Sequence, residues 1–315
     1  MVGLPKTCVL AGALAAVLSC CVARLGWPQA SEDALRDEIA AKLQAGQTHA
    51  AVEQAKVAVE QHPRSPLLYQ LLGAALFKQG ADEEARKAFG RSIELDPRVP
   101  QTYFDLALVT LSEKRYGDAA AALETYLRLN PGDARAHMLL GRAYHNLNRT
   151  MPAIQQFHRA LVLAPALPLV HYHLGYAYQS QGNSKAALEE FQKEIESNPE
   201  FYDSYWLAGD IELNQGHLER AEELFRKGIG VKPPAYQAHY GLARVMLQKK
   251  QPEEAVTELK KALENVPNKV EIHYALARAY KQMGKKDEAQ REFRICAGLH
   301  EQSQKTNSGI AGRQP

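Results

Sequence analysis

Seven prolines stand 34 residues apart: Pro63, Pro97, Pro131, Pro165, Pro199, Pro233 and Pro267. With proline at about 5% of residues, six such coincidences have a chance probability of roughly 10⁻⁸, so a repeat governs whatever this chain folds into. Three further series keep the same register. One is Ala51, Ala85, Ala119, Ala153, Ala187, Ala221, Ala255 and Ala289. Another is Gly73, Ala107, Gly141, Gly175, Gly209, Ala243 and Ala277, and the last is Phe89, Leu123, Phe157, Phe191, Phe225, Leu259 and Phe293. Eight units follow: 32–65, 66–99, 100–133, 134–167, 168–201, 202–235, 236–269 and 270–303.

Each unit reads as two helices. In 66–99, Tyr69, Leu72, Gly73 and Leu76 keep the spacing of one helical face. Gly80 ends that helix, because glycine tolerates the left-handed conformation; Gly46, Gly182, Gly216 and Gly284 recur there, with Asn148 as the usual second choice. Asp82 is placed to cap the second helix, and Glu83 and Glu84 suit its positive end. Ala85, Phe89 and Ser92 line its inner face, and Asp96-Pro97 stops it. Gly73 and Ala85 form a small pair where the two backbones cross. The 34-residue pattern resembles the tetratricopeptide repeat (TPR) family over residues 32–303, about 86% of the chain. That resemblance implies an all-α helix-turn-helix solenoid, a right-handed superhelix whose first helices line a concave groove for partner segments. Unit one departs from the family, with Leu35 for the first aromatic, Ile39 for Gly or Ala and Ala55 for Phe, and reads as a degenerate capping repeat. His137, His171, His239 and His273 also replace that aromatic. Unit eight has Glu301 in place of the proline, and residues 304–315 read as a disordered tail.

Residues 1–30 read as a signal peptide or membrane anchor with a linker. Cys8–Ala23 holds no charge over 16 residues, short for a membrane span of about 20 and close to the length of a signal-peptide core. Cys21-Val22-Ala23 offers small residues for cleavage. Val17-Leu18-Ser19-Cys20 partly matches a bacterial lipoprotein box, which makes Cys20 a possible lipidation site. Residues 31–315 are therefore expected outside the cytoplasm, in a bacterial periplasm or anchored to its membrane.

Motif chemistry is sparse. No GxxxxGK[ST], GxGxxG or HExxH motif occurs, and only Cys296 lies outside the leader, so no catalytic centre, cofactor, metal site or disulfide framework is expected. His171 and His173, two residues apart, point to different helix faces and read as structural. Cys296 falls at a small-residue position. From residue 31 onward Lys+Arg and Asp+Glu balance at 36 each, which lacks the basic excess of a sequence-blind nucleic-acid binder.

The candidate surface is the groove. The fifth residue of each unit faces away from its own second helix and reads Arg36, Gln70, Phe104, Met138, Tyr172, Trp206, Tyr240, Tyr274 down the chain. The ninth reads Ala40, Ala74, Leu108, Arg142, Tyr176, Asp210, Arg244, Arg278. From unit three onward this is an aromatic ladder flanked by Arg, a composition typical of binding hot spots. The competing reading is packing between adjacent repeats. The family's carboxylate clamp is lacking, since neither Lys nor Asn occupies these two positions. The expected function is an exported, non-enzymatic scaffold for a peptide segment with aromatic or aliphatic and acidic residues. A membrane-tethered envelope or pilus assembly lipoprotein and a glycan-binding groove stay open as alternatives.

Overall fold

The computed structural model describes residues 31–311, which form sixteen α-helices and, among the described residues, no strand. They divide into two compact units meeting at Pro131 and Gly132. Residues 1–30, read above as a signal peptide or anchor and including Cys20, lie outside the described residues.

The first unit holds α1 (Glu32–Gln44), α2 (Thr48–Gln61), α3 (Pro66–Gln79), α4 (Asp82–Leu95), α5 (Pro100–Ser112) and α6 (Tyr116–Leu129). The second holds α7 (Ala134–Asn146), α8 (Thr150–Leu163), α9 (Val170–Ser180), α10 (Ser184–Ser197) and α11 (Tyr202–Asn214). It continues with α12 (Leu218–Val231), α13 (Tyr236–Gln248), α14 (Pro252–Asn265), α15 (Val270–Gln282) and α16 (Lys286–Ala311). Within each unit, a first helix packs on its own second helix and that second helix packs on the next first helix.

The first helices end where the glycine series says. Gly46, Gly80, Gly182, Gly216 and Gly284 all have φ between 71° and 85°. The same left-handed site is filled by Asn148, and also by Lys114 at φ 59° and Lys250 at φ 60°. The backbone thus imposes the turn in every repeat, whichever residue stands there. The second helix of 66–99 begins differently from the sequence expectation. Asp82 is the first helical residue rather than the cap, and its carboxylate accepts from the Ser112 hydroxyl at 3.1 Å.

Each unit builds its core from rings and small residues. Phe89, Phe157, Phe191 and Phe225 are 0–1% exposed, each pressed against a glycine of its own first helix. A Cβ on Gly73 would stand 2.5 Å from the Phe89 ring, and one on Gly141 would stand 2.6 Å from Phe157. Glycine is therefore dictated by the ring rather than by the alanine opposite. Where the second helix carries the smaller Leu123 or Leu259, the first helix carries Ala107 or Ala243. Unit one reverses the sizes: Ile39 and Ala55 are both fully buried. Its departures from the repeat pattern are a volume-conserving exchange, so that repeat keeps a filled core despite them.

Unit eight breaks the rule, pairing Ala277 with Phe293, and there the ring is 39% exposed. Its final helix also differs from expectation at the other end. With Glu301 in place of proline nothing stops α16, which continues to Ala311 through the stretch read as disordered.

Candidate functional site

The second unit gathers most of the ladder into one run of contacts. Tyr172 and Tyr176, one turn apart on α9, have ring centroids 6.3 Å apart. Tyr176 is 44% exposed and meets His145 of α7 edge-on at 5.4 Å. Tyr172 is more enclosed: the Phe201 ring stands 4.8 Å away in a T-shaped contact and Phe191 lies beneath at 6.2 Å. Burial pushes the Tyr172 hydroxyl up to about 12, with the Asp203 carboxylate adding to the shift and Arg142 opposing it.

Asp203 opens α11 and accepts the Trp206 indole N–H at 3.1 Å. Trp206 is half-buried and packs into the apolar clusters on both sides of its helix. One turn on, Asp210 pairs with Arg244 of α13, whose other terminal nitrogen donates to Asn214 at 3.0 Å. Asn214 in turn donates to Asp210 at 3.1 Å, and the Arg244 guanidinium lies 5.8 Å from the Tyr240 ring centroid. Burial raises the Tyr240 hydroxyl, and Arg244 and Arg278 pull it back. At the far end Tyr274 is 53% exposed, with Phe293 against its edge at 5.9 Å. Arg142 and Arg278 make no ion pair among the described residues, whereas Arg244 is neutralised in place.

A buried carboxylate sets the position of Tyr172. Helix α9 starts two residues later than the repeat register, behind Leu169 in the left-handed region. Glu194 of α10, 1% exposed, accepts the Leu169 N–H at 3.2 Å and the Tyr172 N–H at 3.3 Å. These are orphan donors of a helix start, and the negative charge suits the positive end of the helix.

Two ladder members lie elsewhere. Phe104 belongs to the first unit, is buried, and packs on Tyr126 at 5.1 Å. For Phe104 the packing reading is therefore the one observed. Met138 is half-buried against the core beneath α8 and α9. Conversely, Asp203, His145, Phe201 and Phe293 join the run without having been expected. The spacing of Asp203 to Trp206, and the mismatch of Ala277 with Phe293, are sequence signals from which two of them can be found.

The histidines are built in. His173 stacks on Phe157 with centroids 5.9 Å apart, and burial pushes its ring down to about 3, with Arg142 and His145 adding. His171 contacts Glu190 at 2.6 Å, so the two rings serve separate neighbours. Among the described residues, no three His, Cys, Asp or Glu side chains gather as metal ligands, and no helix is long and apolar enough to cross a membrane. Cys296 is half-buried, directs its thiol at the Val270 carbonyl at 3.6 Å, and burial raises it.

Three family models of the tetratricopeptide repeat match the chain, at residues 66–99, at 104–168 and 172–233, and at 212–268 and 247–294. Over 77 residues the chain is 36% identical to the tetratricopeptide repeat and J domain-containing co-chaperone DNJ1 of Cryptococcus neoformans. That match covers 24% of this chain and 15% of the co-chaperone. Among solved structures, a chain of the APC/C hetero-tetramer Cut9-Hcn1 superposes with a TM-score of 0.58 at 21% identity, over 78% of this chain and 49% of that one. A tetratricopeptide repeat protein from Parabacteroides merdae gives 0.57 at 22% identity, covering 79% of this chain and 98% of that one. Repeat register, paired helices and matched family models agree: the chain belongs to the tetratricopeptide repeat family.

Proposed function

We propose that the chain is an exported, non-enzymatic scaffold whose second unit holds a protein segment along the first-helix strip from Arg142 to Arg278. The family supports a protein partner in general terms. The observation that carries the finer reading is the run of Tyr, Trp and Arg side chains joined from α7 to α13 by ring contacts and charge pairs, with the exposed Tyr274 following on α15. Aromatic rings give large contact area at little cost in rotamer entropy, and Arg stacks on rings or pairs carboxylates. With Arg244 engaged by Asp210, the strip's arginines that make no ion pair among the described residues are Arg142 and Arg278. The fitting ligand is a peptide with aromatic or aliphatic anchors and acidic groups near those two arginines. The neutral balance of the chain beyond the leader argues against nucleic acid.

A displayed peptide library panned on the full chain tests this. Aromatic-acidic sequences should be enriched, and the enrichment should collapse for Tyr176→Ala and Tyr274→Ala, whose exposure leaves the core intact. Trp206→Ala is expected to cost about 2 kcal/mol or more of binding, as a central hot spot does. Because Trp206 also packs on both neighbouring clusters, its variant must be scored per folded molecule. Enrichment that survives both tyrosine variants would leave the strip as inter-repeat packing. Selective retention of glycans instead of peptides would favour the sugar-binding alternative. Export is tested by an alkaline phosphatase fusion at residue 315, expected to be active, and palmitate labelling of Cys20 separates a lipid-tethered envelope or pilus assembly factor from a cleaved one.

A further inference from the structure

In units three and six, the fourth residue is tyrosine and ties the helix start to the preceding turn. The Tyr103 hydroxyl donates to the Pro97 carbonyl at 3.1 Å, and the Tyr205 hydroxyl donates to the Pro199 carbonyl at 3.0 Å. In units seven and eight histidine makes the same tie. His239 Nε2 lies 2.8 Å from the Pro233 carbonyl oxygen and His273 Nε2 lies 2.8 Å from that of Pro267. Each ring has a second partner that tyrosine cannot have. His239 Nδ1 lies 2.6 Å from Glu258 and His273 Nδ1 lies 2.7 Å from Glu292, both on the following second helix. A carbonyl and a carboxylate are both acceptors, and a neutral imidazole has only one N–H to give. Both contacts hold together only when the ring is an imidazolium.

We propose that the His239–Glu258 and His273–Glu292 pairs are pH-responsive latches that bind first helix to second helix while the rings are charged. As pH rises they release, loosening the ladder residues Tyr240 and Tyr274 that follow each histidine. This stands apart from the peptide-binding reading, since the latch acts on the fold with or without a ligand.

The surroundings favour charge on the ring. Toward His239, α14 presents Glu258, its partner Lys261 at 2.8 Å from that carboxylate, and Glu264 at the rim of a shallow hollow. Helix α12 presents the apolar Ile229, and the turn presents Pro233 and Pro234. From α11 the Tyr202 hydroxyl accepts the neighbouring Ala238 N–H at 3.1 Å. Near His273 stand Glu292 and the Cys296 thiol of α16, with Lys269 and Glu271 3.6 Å apart at the start of α15. The Glu258 hydrogen bond raises the His239 ring above its usual value, against burial and Lys261, and the same bond lowers Glu258. For the raised histidine, stabilisation is full below the ordinary imidazole value of about 6.5 and is lost as pH climbs through the raised one. For the lowered glutamate it is full above the ordinary carboxylate value of about 4.3 and is lost as pH falls through the lowered one. The latch is therefore complete in mild acid, between those limits, and opens on the alkaline side. His137 gives an internal contrast: its Nδ1 meets the uncharged Gln156 at 2.7 Å.

Side-chain ¹⁵N NMR of the full-length protein, with His239 and His273 assigned from their tyrosine variants, reads the rings directly. Both nitrogens of each ring should carry a proton in mild acid, and the His239 ring should titrate above free histidine; a single proton per ring at pH 6, or a His239 midpoint at or below that of free histidine, would overturn the proposal. Urea unfolding at pH 6 and pH 8 reads the consequence. The wild-type unfolding constant should rise several-fold between them, and the rise should shrink in H239Y/H273Y, where tyrosine restores the bond to proline without a titrating ring. Equal slopes in both proteins would overturn the latch. Should the double variant fail to fold, Glu258→Gln keeps an acceptor and removes the charge. It should lower the His239 titration midpoint, and an unchanged midpoint would also overturn the proposal.

Discussion

Lys114 and Lys250 sit in the left-handed region where five repeats place glycine, and they hold it against a steric cost that L-residues pay at positive φ. Lys114→Gly and Lys250→Gly should each stabilise the chain by about 0.5–1 kcal/mol, the glycine's looser unfolded state offsetting part of the gain. Urea titration of each variant checks the sign. The glycines and Asn148 mark this turn openly in the sequence, whereas lysine is a good helix former and hid the remaining two turns. Glu194 was hidden in the same way, since it occupies a place where other repeats carry Ser92, Ala160 or Ala262. Replacing it by alanine strands the Leu169 and Tyr172 N–H groups away from water. Glu194→Ala is expected to cost about 1–3 kcal/mol, and the loss should appear as faster amide exchange at the start of α9.

Pairs of helices are matched by volume. Gly141→Ala drives a methyl into the Phe157 ring, and overpacking of this kind costs about 1–3 kcal/mol. Adding Phe157→Leu reproduces the Ala107 and Leu123 pair, so the double variant should lose less than the two single losses added together, a coupling that a double-mutant cycle measures. Helix α12 is the soft element, because Gly228 and Gly230 both lie in its last turns. They are not equivalent. A Cβ on Gly228 would come 3.2 Å from Tyr205 Cβ, while one on Gly230 meets nothing within 4 Å. Gly230→Ala should thus stabilise by about 1 kcal/mol, and the amides of residues 219–232, expected to exchange fastest among interior second helices, should slow. The two glycines and their low helix propensity could be read from the sequence; which one the packing requires could not, because Tyr205 lies 23 residues away.

Each of the two compact units has apolar clusters of its own. Residues 132–311 expressed alone are expected to be helical and to melt cooperatively, which circular dichroism would show, because repeat arrays draw stability from neighbours only. Fold and register were legible because one period governs four residue series at once. The strip was legible only in part. Counting positions picks out Tyr176 and Tyr274, which are exposed, and equally Phe104, which is buried, since a fifth position carries no record of what the neighbouring helix contributes. Both members of each glycine–phenylalanine pair lie in one 34-residue stretch of chain. A gene segment encoding a whole repeat could therefore be duplicated or deleted with every such pair kept intact. The join between the sixth and seventh copies is the exception: Phe225 presses on Gly241 of the next repeat as well as on Gly209 of its own, so duplicating or deleting either copy alone breaks a glycine–phenylalanine pair.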